Sequence, residues 1–221
     1  MSASTALPAS QVLIRRMGLA DLEFVVDEHL AHFPDNVFGQ MGRRFLTEYY
    51  RTFLDGPHAE AVVTVAEGSR VGYLVGILDV REHRRLVRKF HSRRLAWHAT
   101  AALARRPRMA AGLVRRRISV RLTALRSRAG ANGNGSEAIA VLSHVAVRAE
   151  ARGLGLGTSM ILQFVERAQN SGAQTVSVAT RAGTAGAGEL YRQLGWKLTR
   201  ERDTFDGRRI ELYDLDVTAV R

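Results

Sequence analysis

Residues 141–169 constrain the fold more than any other part of the sequence. An apolar run, Val141–Val147, is followed by Arg152-Gly153-Leu154-Gly155-Leu156-Gly157. After it, Leu156–Gln169 places Ile161, Phe164, Val165 and Ala168 at helical spacing, with Gly172 positioned to end the helix. A strand that enters a helix through a glycine turn belongs to a layered α/β fold. Such a turn leaves backbone N–H groups pointing outward at the positive end of the helix dipole, where an anion can sit. The plain alternative is a glycine turn that only joins a strand to a helix.

Spacing narrows the anion. The dinucleotide fingerprint G-x-G-x-x-G, started at Gly153, needs glycine where Thr158 stands. The P-loop needs Gly-Lys-Ser/Thr after four spacer residues, and the only lysines are Lys89 and Lys197. Both phosphate-binding patterns fail.

The rest of the chain supplies the partners of this unit. Val12–Met17 reads as a first strand, and Ala20–Phe33 as a helix with Leu22, Val25, Val26, Leu30 and Phe33 at helical spacing. A break at Phe33–Asn36 precedes a second helix, Phe45–Leu54. Strands are expected over Ala61–Ala66 and Val71–Leu78, joined by the turn Glu67-Gly68-Ser69-Arg70. Beyond the glycine turn, Thr175–Thr180 reads as a strand and Gly188–Leu194 as a short helix. Trp196–Phe205 and Arg208–Val217 form a hairpin about Asp206-Gly207.

The stretch Arg152–Gly157 resembles the acyl-CoA signature Q/R-x-x-G-x-G/A of the GNAT superfamily of N-acyltransferases, matched by Arg152, Gly155 and Gly157. A second stretch, "AGELYRQLGW", is similar to the superfamily's later motif through Ala187, Leu190, Tyr191, Gly195 and Trp196. The order of elements also matches, everywhere except a basic insertion.

The resemblance implies an α/β fold with a mixed, mostly antiparallel central sheet flanked by helices. It implies acetyl-CoA as co-substrate, held by Val145, Ala146 and Val147 on a bulged, splayed strand and by Arg152, Gly153, Leu154, Gly155, Leu156, Gly157 and Thr158 at the turn. Thr184 and Ala187 at the later helix start complete the expected contacts. Thr184 stands where the superfamily often has asparagine, and "AGTAGAG" is glycine-rich for a helix start, each interior glycine costing ~1 kcal/mol relative to alanine.

The implied reaction is acetyl transfer from the thioester to a primary amine by direct attack. It requires a neutral amine, a polarised carbonyl and a stabilised thiolate. Tyr191 resembles the tyrosine that protonates the thiolate; a core-filling ring is its alternative. His144, on the cofactor strand, is the candidate base, against a reading as a hydrogen-bonded buried histidine. Asp79 is a second candidate, and Glu150 reads as solvated. No His/Asp/Glu cluster has metal-ligand spacing, so no metal is expected.

Charge is concentrated. Arg81–Arg128 holds 16 Lys and Arg against one acid, Glu82, a local net of +15 in a chain of +12, so the remainder carries −3. This segment, an insertion between the third and fourth strands, reads as two helices divided by Pro107. Leu86, Phe90 and Trp97 fall near one face, and a linker follows at Ala129–Ser136. It suits an anionic membrane surface, nucleic-acid phosphates, an anionic acceptor or a second subunit of a homodimer. A helix pair with a solvated arginine face is the plain alternative.

Two other functional readings stay open: a non-catalytic acyl-CoA-binding module that docks through the arginines, and a protein or peptide N-acetyltransferase. Residues 1–10 are expected to be a flexible N-terminus and 11–221 one acyltransferase domain, with 81–137 as insertion and linker. The absence of cysteine excludes disulfides and thiolate chemistry. With no apolar signal core and no stretch long enough to span a bilayer, a cytoplasmic protein is expected.

Overall fold

The structure is a computed structural model that describes residues 12–34, 36–106, 138–183, 187–203 and 207–218. Seven strands form one sheet: β1 (Val12–Arg16), β2 (Ala59–Ala66), β3 (Ser69–Ile77), β4 (Ile139–Val147), β5 (Thr175–Arg181), β6 (Lys197–Asp203) and β7 (Arg209–Asp216). Their spatial order is β1-β2-β3-β4-β5-β7-β6, and every neighbouring pair is antiparallel except β4 with β5. The helices are α1 (Leu22–His32), α2 (Val37–Met41), α3 (Arg43–Arg51), α4 (Val80–Leu86), α5 (Ser92–Ala104), α6 (Leu156–Asn170) and α7 (Ala187–Gln193), with a π turn at Val87–His91 between α4 and α5. The sheet is mixed and mostly antiparallel, as expected.

Each face of the sheet carries its own core. On one side α6 buries Met160, Ile161, Phe164, Val165 and Ala168 against Leu74, Leu142, Val176 and Tyr213, and Tyr191 of α7 joins them. On the other, α1 and α3 bury Val25, Val26, Leu46 and Tyr50 against Val63, Tyr73 and Val75. Alternation along β3 divides its side chains between the two cores. Gly76 faces α6, where an added Cβ would stand 2.3 Å from the Phe164 ring. The glycine is what lets α6 lie so close to the sheet.

A short helix, α2, follows the break expected at Phe33–Asn36; Asn36 starts it, its Oδ1 accepting from the Gly39 amide. Two sequence expectations change. Residues 80–104 form two helices joined by the π turn rather than one. That turn, wider than 3.6 residues, shifts the helical phase, so the expected Leu86–Phe90–Trp97 face does not form. Leu86 packs onto Gly56, but Phe90 and Trp97 are 65% and 71% exposed, and His83 and His91 are buried instead. The expectations for residues 1–11, Pro107, the second basic helix, the 129–136 linker, Thr184 and Asp206 lie outside the described residues.

Candidate active site

β4 governs the site. It pairs with β5 from Ile139 to Leu142 and no further. Its pairing with β3 skips Ser143, so Val75 faces His144 and Gly76 faces Leu142. The extra residue is a β-bulge, and it exchanges the two faces of the strand. Ala140 and Leu142 point into the α6 core, whereas Ala146 belongs to the α1–α3 core and Val145 and Val147 pack toward α6. Without the bulge, His144 would share Leu142's face. With it, β4 and β5 diverge beyond Leu142 and Val178, and the backbone of Val145, Ala146 and Val147 has no partner strand on its β5 side.

The glycine turn follows β4 at the end where β4 and β5 are unpaired. Gly153 and Gly155 have φ of +79° and +73°, a region glycine enters freely. An added Cβ at either would meet nothing within 4 Å, so these glycines answer to backbone conformation and leave open space in front of the turn. Gly157 differs: a Cβ there would make only ordinary contact with Val147. Gly155 caps α6, and the first helical bond outside the helix proper runs from the Ser159 amide to Gly155 O, at 2.9 Å. The amides of Leu156, Gly157 and Thr158 precede it and have no helical acceptor. Arg152 lies extended, its Nε donating to Val147 O at 3.2 Å, which ties turn to strand. The next residue after β4, Arg148, donates to Glu28 Oε1 of α1 at 2.7 Å and secures the other side of the wedge.

His144 sits in a nest of rings. Its centroid is 4.8 Å from His29, 5.6 Å from Phe33, 5.8 Å from Tyr49, and 6.0 Å from both Phe38 and Tyr50. Burial, and then the neighbouring His29, push its pKa down to about 3. Its Nε2 is 3.3 Å from the Tyr49 hydroxyl. A second chain runs beside it: Asn36 Oδ1 to His29 Nε2 at 3.1 Å, His29 Nδ1 to the Tyr50 hydroxyl at 2.6 Å, and Tyr50 to the Tyr73 hydroxyl at 2.9 Å. Burial lowers the His29 pKa to about 4.

The sequence reading did not single out Tyr49, Tyr50, Tyr73 or His29. Phe45, Tyr49 and Phe53 at four-residue intervals signalled a buried helical face, but nothing local showed what they would surround.

Other candidates separate. Tyr191, 5% exposed, packs on Trp196 and Tyr213, and burial raises its pKa so that the phenol stays protonated. Among the described residues its hydroxyl has no hydrogen-bond partner. Ala187 opens α7, and Gly188 after it is required because a Cβ would stand 2.6 Å from the Tyr213 hydroxyl. Asp79 caps α4 by accepting from the Arg81 and Glu82 amides. Glu150 is exposed beside Arg148. No group of three or more acidic or histidine side chains suited to a metal occurs among the described residues.

A cavity of about 640 Å³ opens between α3 and the α4–α5 segment. Tyr49, Phe53, Ile77 and Leu95 form its apolar walls, and Arg81, Arg84, Arg85 and Arg88 stand around it with His83. Tyr49 is thus shared by this cavity and His144. None of the described helices is long and apolar enough to cross a membrane.

A model of the Acetyltransferase (GNAT) family matches residues 26–196. A search of curated protein sequences gives no match. Among solved structures, the Arabidopsis thaliana NAA60 in complex with acetyl-CoA has a TM-score of 0.60 and 11% identity, over 95% of this chain and 100% of that one. Ard1 from Thermoplasma volcanium has a TM-score of 0.58 at 13% identity, over 93% and 97%. The ribosomal-protein-S18-alanine N-acetyltransferase from Escherichia coli has a TM-score of 0.55 at 14% identity, over 93% and 94%. These likenesses establish a shared fold.

Proposed function

The chain belongs to the acetyltransferase (GNAT) family, and from that premise we propose that it transfers an acetyl group from acetyl-CoA to a primary amine. The observation that carries this reading is the wedge between β4 and β5, followed by a glycine turn in which the amides of Leu156, Gly157 and Thr158 have no helical acceptor. The fit to acetyl-CoA rests on this chain alone. A pyrophosphate can take the unpaired amides of Leu156, Gly157 and Thr158 and the positive end of the α6 dipole. The space before Gly153 and Gly155 admits its oxygens, and the unpaired backbone of Val145–Val147 can hydrogen-bond the amide-rich arm. Arg152 adds charge at the rim. Acetyl-CoA supplies the activated thioester.

In the transfer, the amine nitrogen bonds to the acetyl carbon and the C–S bond breaks. An unpaired β4 amide polarises the carbonyl oxygen. Tyr191, kept protonated by burial, donates its hydrogen to the leaving sulfur. His144 is unprotonated across the working pH range and takes the proton that the nitrogen sheds. With a pKa of about 3 it holds that proton only briefly, so it acts as a relay toward Tyr49 and solvent.

The test is release of free CoA thiol over a panel of amines, including amino sugars, aminoglycosides, polyamines and peptide N-termini. Amine-dependent release is expected, with acetyl-CoA retained by the purified protein. Binding of acetyl-CoA with no release for any amine, and no change in Tyr191→Phe, would instead leave a non-catalytic acyl-CoA-binding module.

A further inference from the structure

The cavity under α4 and α5 lies in the arginine-rich segment between β3 and β4. Its lining is unusual in three respects. Arg85 is paired with Glu82, but Arg81, Arg84 and Arg88 have no carboxylate within ion-pair distance among the described residues. No acidic side chain lines the cavity. His83 lines it while only 5% exposed, and its Nδ1 is buried without a hydrogen-bond partner.

Burial, reinforced by His58 and His91, brings the His83 pKa down to about 4. His83 is therefore neutral and adds no charge to the lining, so the charge there comes from the arginines. Three unpaired guanidinium groups exceed what one carboxylate can use. A phosphate, with two charges and several acceptor oxygens, matches them. The volume is in the range of small-ligand sites, and Tyr49, Phe53 and Leu95 give the rest of such a ligand an apolar surface. Tyr49 lines this cavity, and its hydroxyl lies 3.3 Å from His144 Nε2 on the splayed strand.

We propose that the acetyl acceptor is a phosphate-bearing amine whose phosphate is held by Arg81, Arg84 and Arg88, with its amine directed past Tyr49 to the β4–β5 wedge. The proposal rests on the acetyltransferase reading for the reaction, but the anion site itself can be tested without catalysis.

Matched amines serve as probes: glucosamine 6-phosphate against glucosamine, and O-phosphoethanolamine against ethanolamine. Each is titrated calorimetrically into the full-length protein without acetyl-CoA, at low and high salt, and then used as acceptor in the thiol-release assay. The phosphorylated member of at least one pair is expected to bind about 10-fold or more tighter, with the difference shrinking in high salt. It should also be acetylated at lower KM. The combined Arg81→Gln, Arg84→Gln, Arg88→Gln variant should abolish the preference and leave acetyl-CoA affinity unchanged. These arginines are exposed, and single Arg84→Gln provides a milder check in which the preference falls partway.

Equal binding of phosphorylated and plain amines, or a preference that survives the triple variant, overturns the proposal. Phosphate-selective binding with no thiol release from any amine would retain the anion site and overturn the transfer reading. Thiol release from neutral amines with no phosphate preference would do the reverse.

Discussion

The turn at Arg152–Thr158 and the cavity under α4 differ in what they present to a ligand. At the turn the groups on offer are main-chain amides, fixed by the bulge at Ser143, by Gly153 and Gly155 at positive φ, and by the start of α6. In the cavity they are the ends of long arginine side chains on a segment that packs over α3, with a single buried imidazole among them. A backbone site is rigid and insensitive to most substitutions, but it fails when a glycine is lost. A side-chain site is adaptable, salt-sensitive and can be dismantled stepwise. One suits a donor that is the same in every turnover, the other an acceptor that distinguishes one member of a family from the next.

That contrast can be broken at several points. Tyr191→Phe is expected to give the largest effect, a fall in kcat of about 100-fold, the scale of a lost general acid. The Kd for acetyl-CoA should stay within error, as read by calorimetry. A fall confined to acetyl-CoA affinity would return Tyr191 to a packing role. Gly155→Val should weaken acetyl-CoA binding about 10-fold, since forcing a side chain into positive φ costs roughly 1–2 kcal/mol and displaces the amides. Binding of phosphorylated probes in the cavity should not move; if it does, the two sites are not built independently.

His144→Gln should lower kcat by less than 10-fold, roughly, because a base so far below working pH is an inefficient one. The pH profile should show no histidine-like inflection near 6.5 in the wild type, since His144 has already lost its proton there. An inflection near 6.5 that vanished in the variant would show that His144 titrates normally and acts as a conventional base.

Stability gives the most general effect. His29 and His83, both buried, have folded pKa values of about 4 against 6.5 when unfolded, so the unfolded chain takes up protons first. The stabilisation is complete above pH 6.5 and is lost as pH falls toward 4, on the order of 2 kcal/mol per histidine by pH 5. Denaturant melts across this range should show it, and His29→Gln should remove part of the slope. A flat profile would mean that these rings are hydrated in solution.

Much of this architecture can be read from the chain because its causes are local. Gly172 at φ +85° ends α6, and Ile161, Phe164, Val165 and Ala168 are buried together, since helical periodicity and glycine chemistry act over a few residues. The same holds for the turn, where the number of residues between glycines selects one phosphate-binding geometry over two others. By contrast, the π turn at Val87–His91 rotated Phe90 and Trp97 away from the face that a regular helix would give them. Asp79 looked available for chemistry until α4 began directly after it and took its carboxylate as a cap.

The sequence by itself determined the order of the strands and of α1, α3, α6 and α7, the glycine turn and the family resemblance, all of which follow from spacing along the chain. Only the tertiary structure decided what His144 faces. The bulge at Ser143 is one extra residue between two strands, visible only once β3 is paired with β4. The rings around His144 come from α1, α2, α3 and the Phe33 bend, remote in sequence and joined by packing. The arginine cavity likewise needs α3 to supply its far wall. Sites made of neighbouring residues leave a pattern in the chain, whereas sites made of surfaces brought together leave one only in the fold.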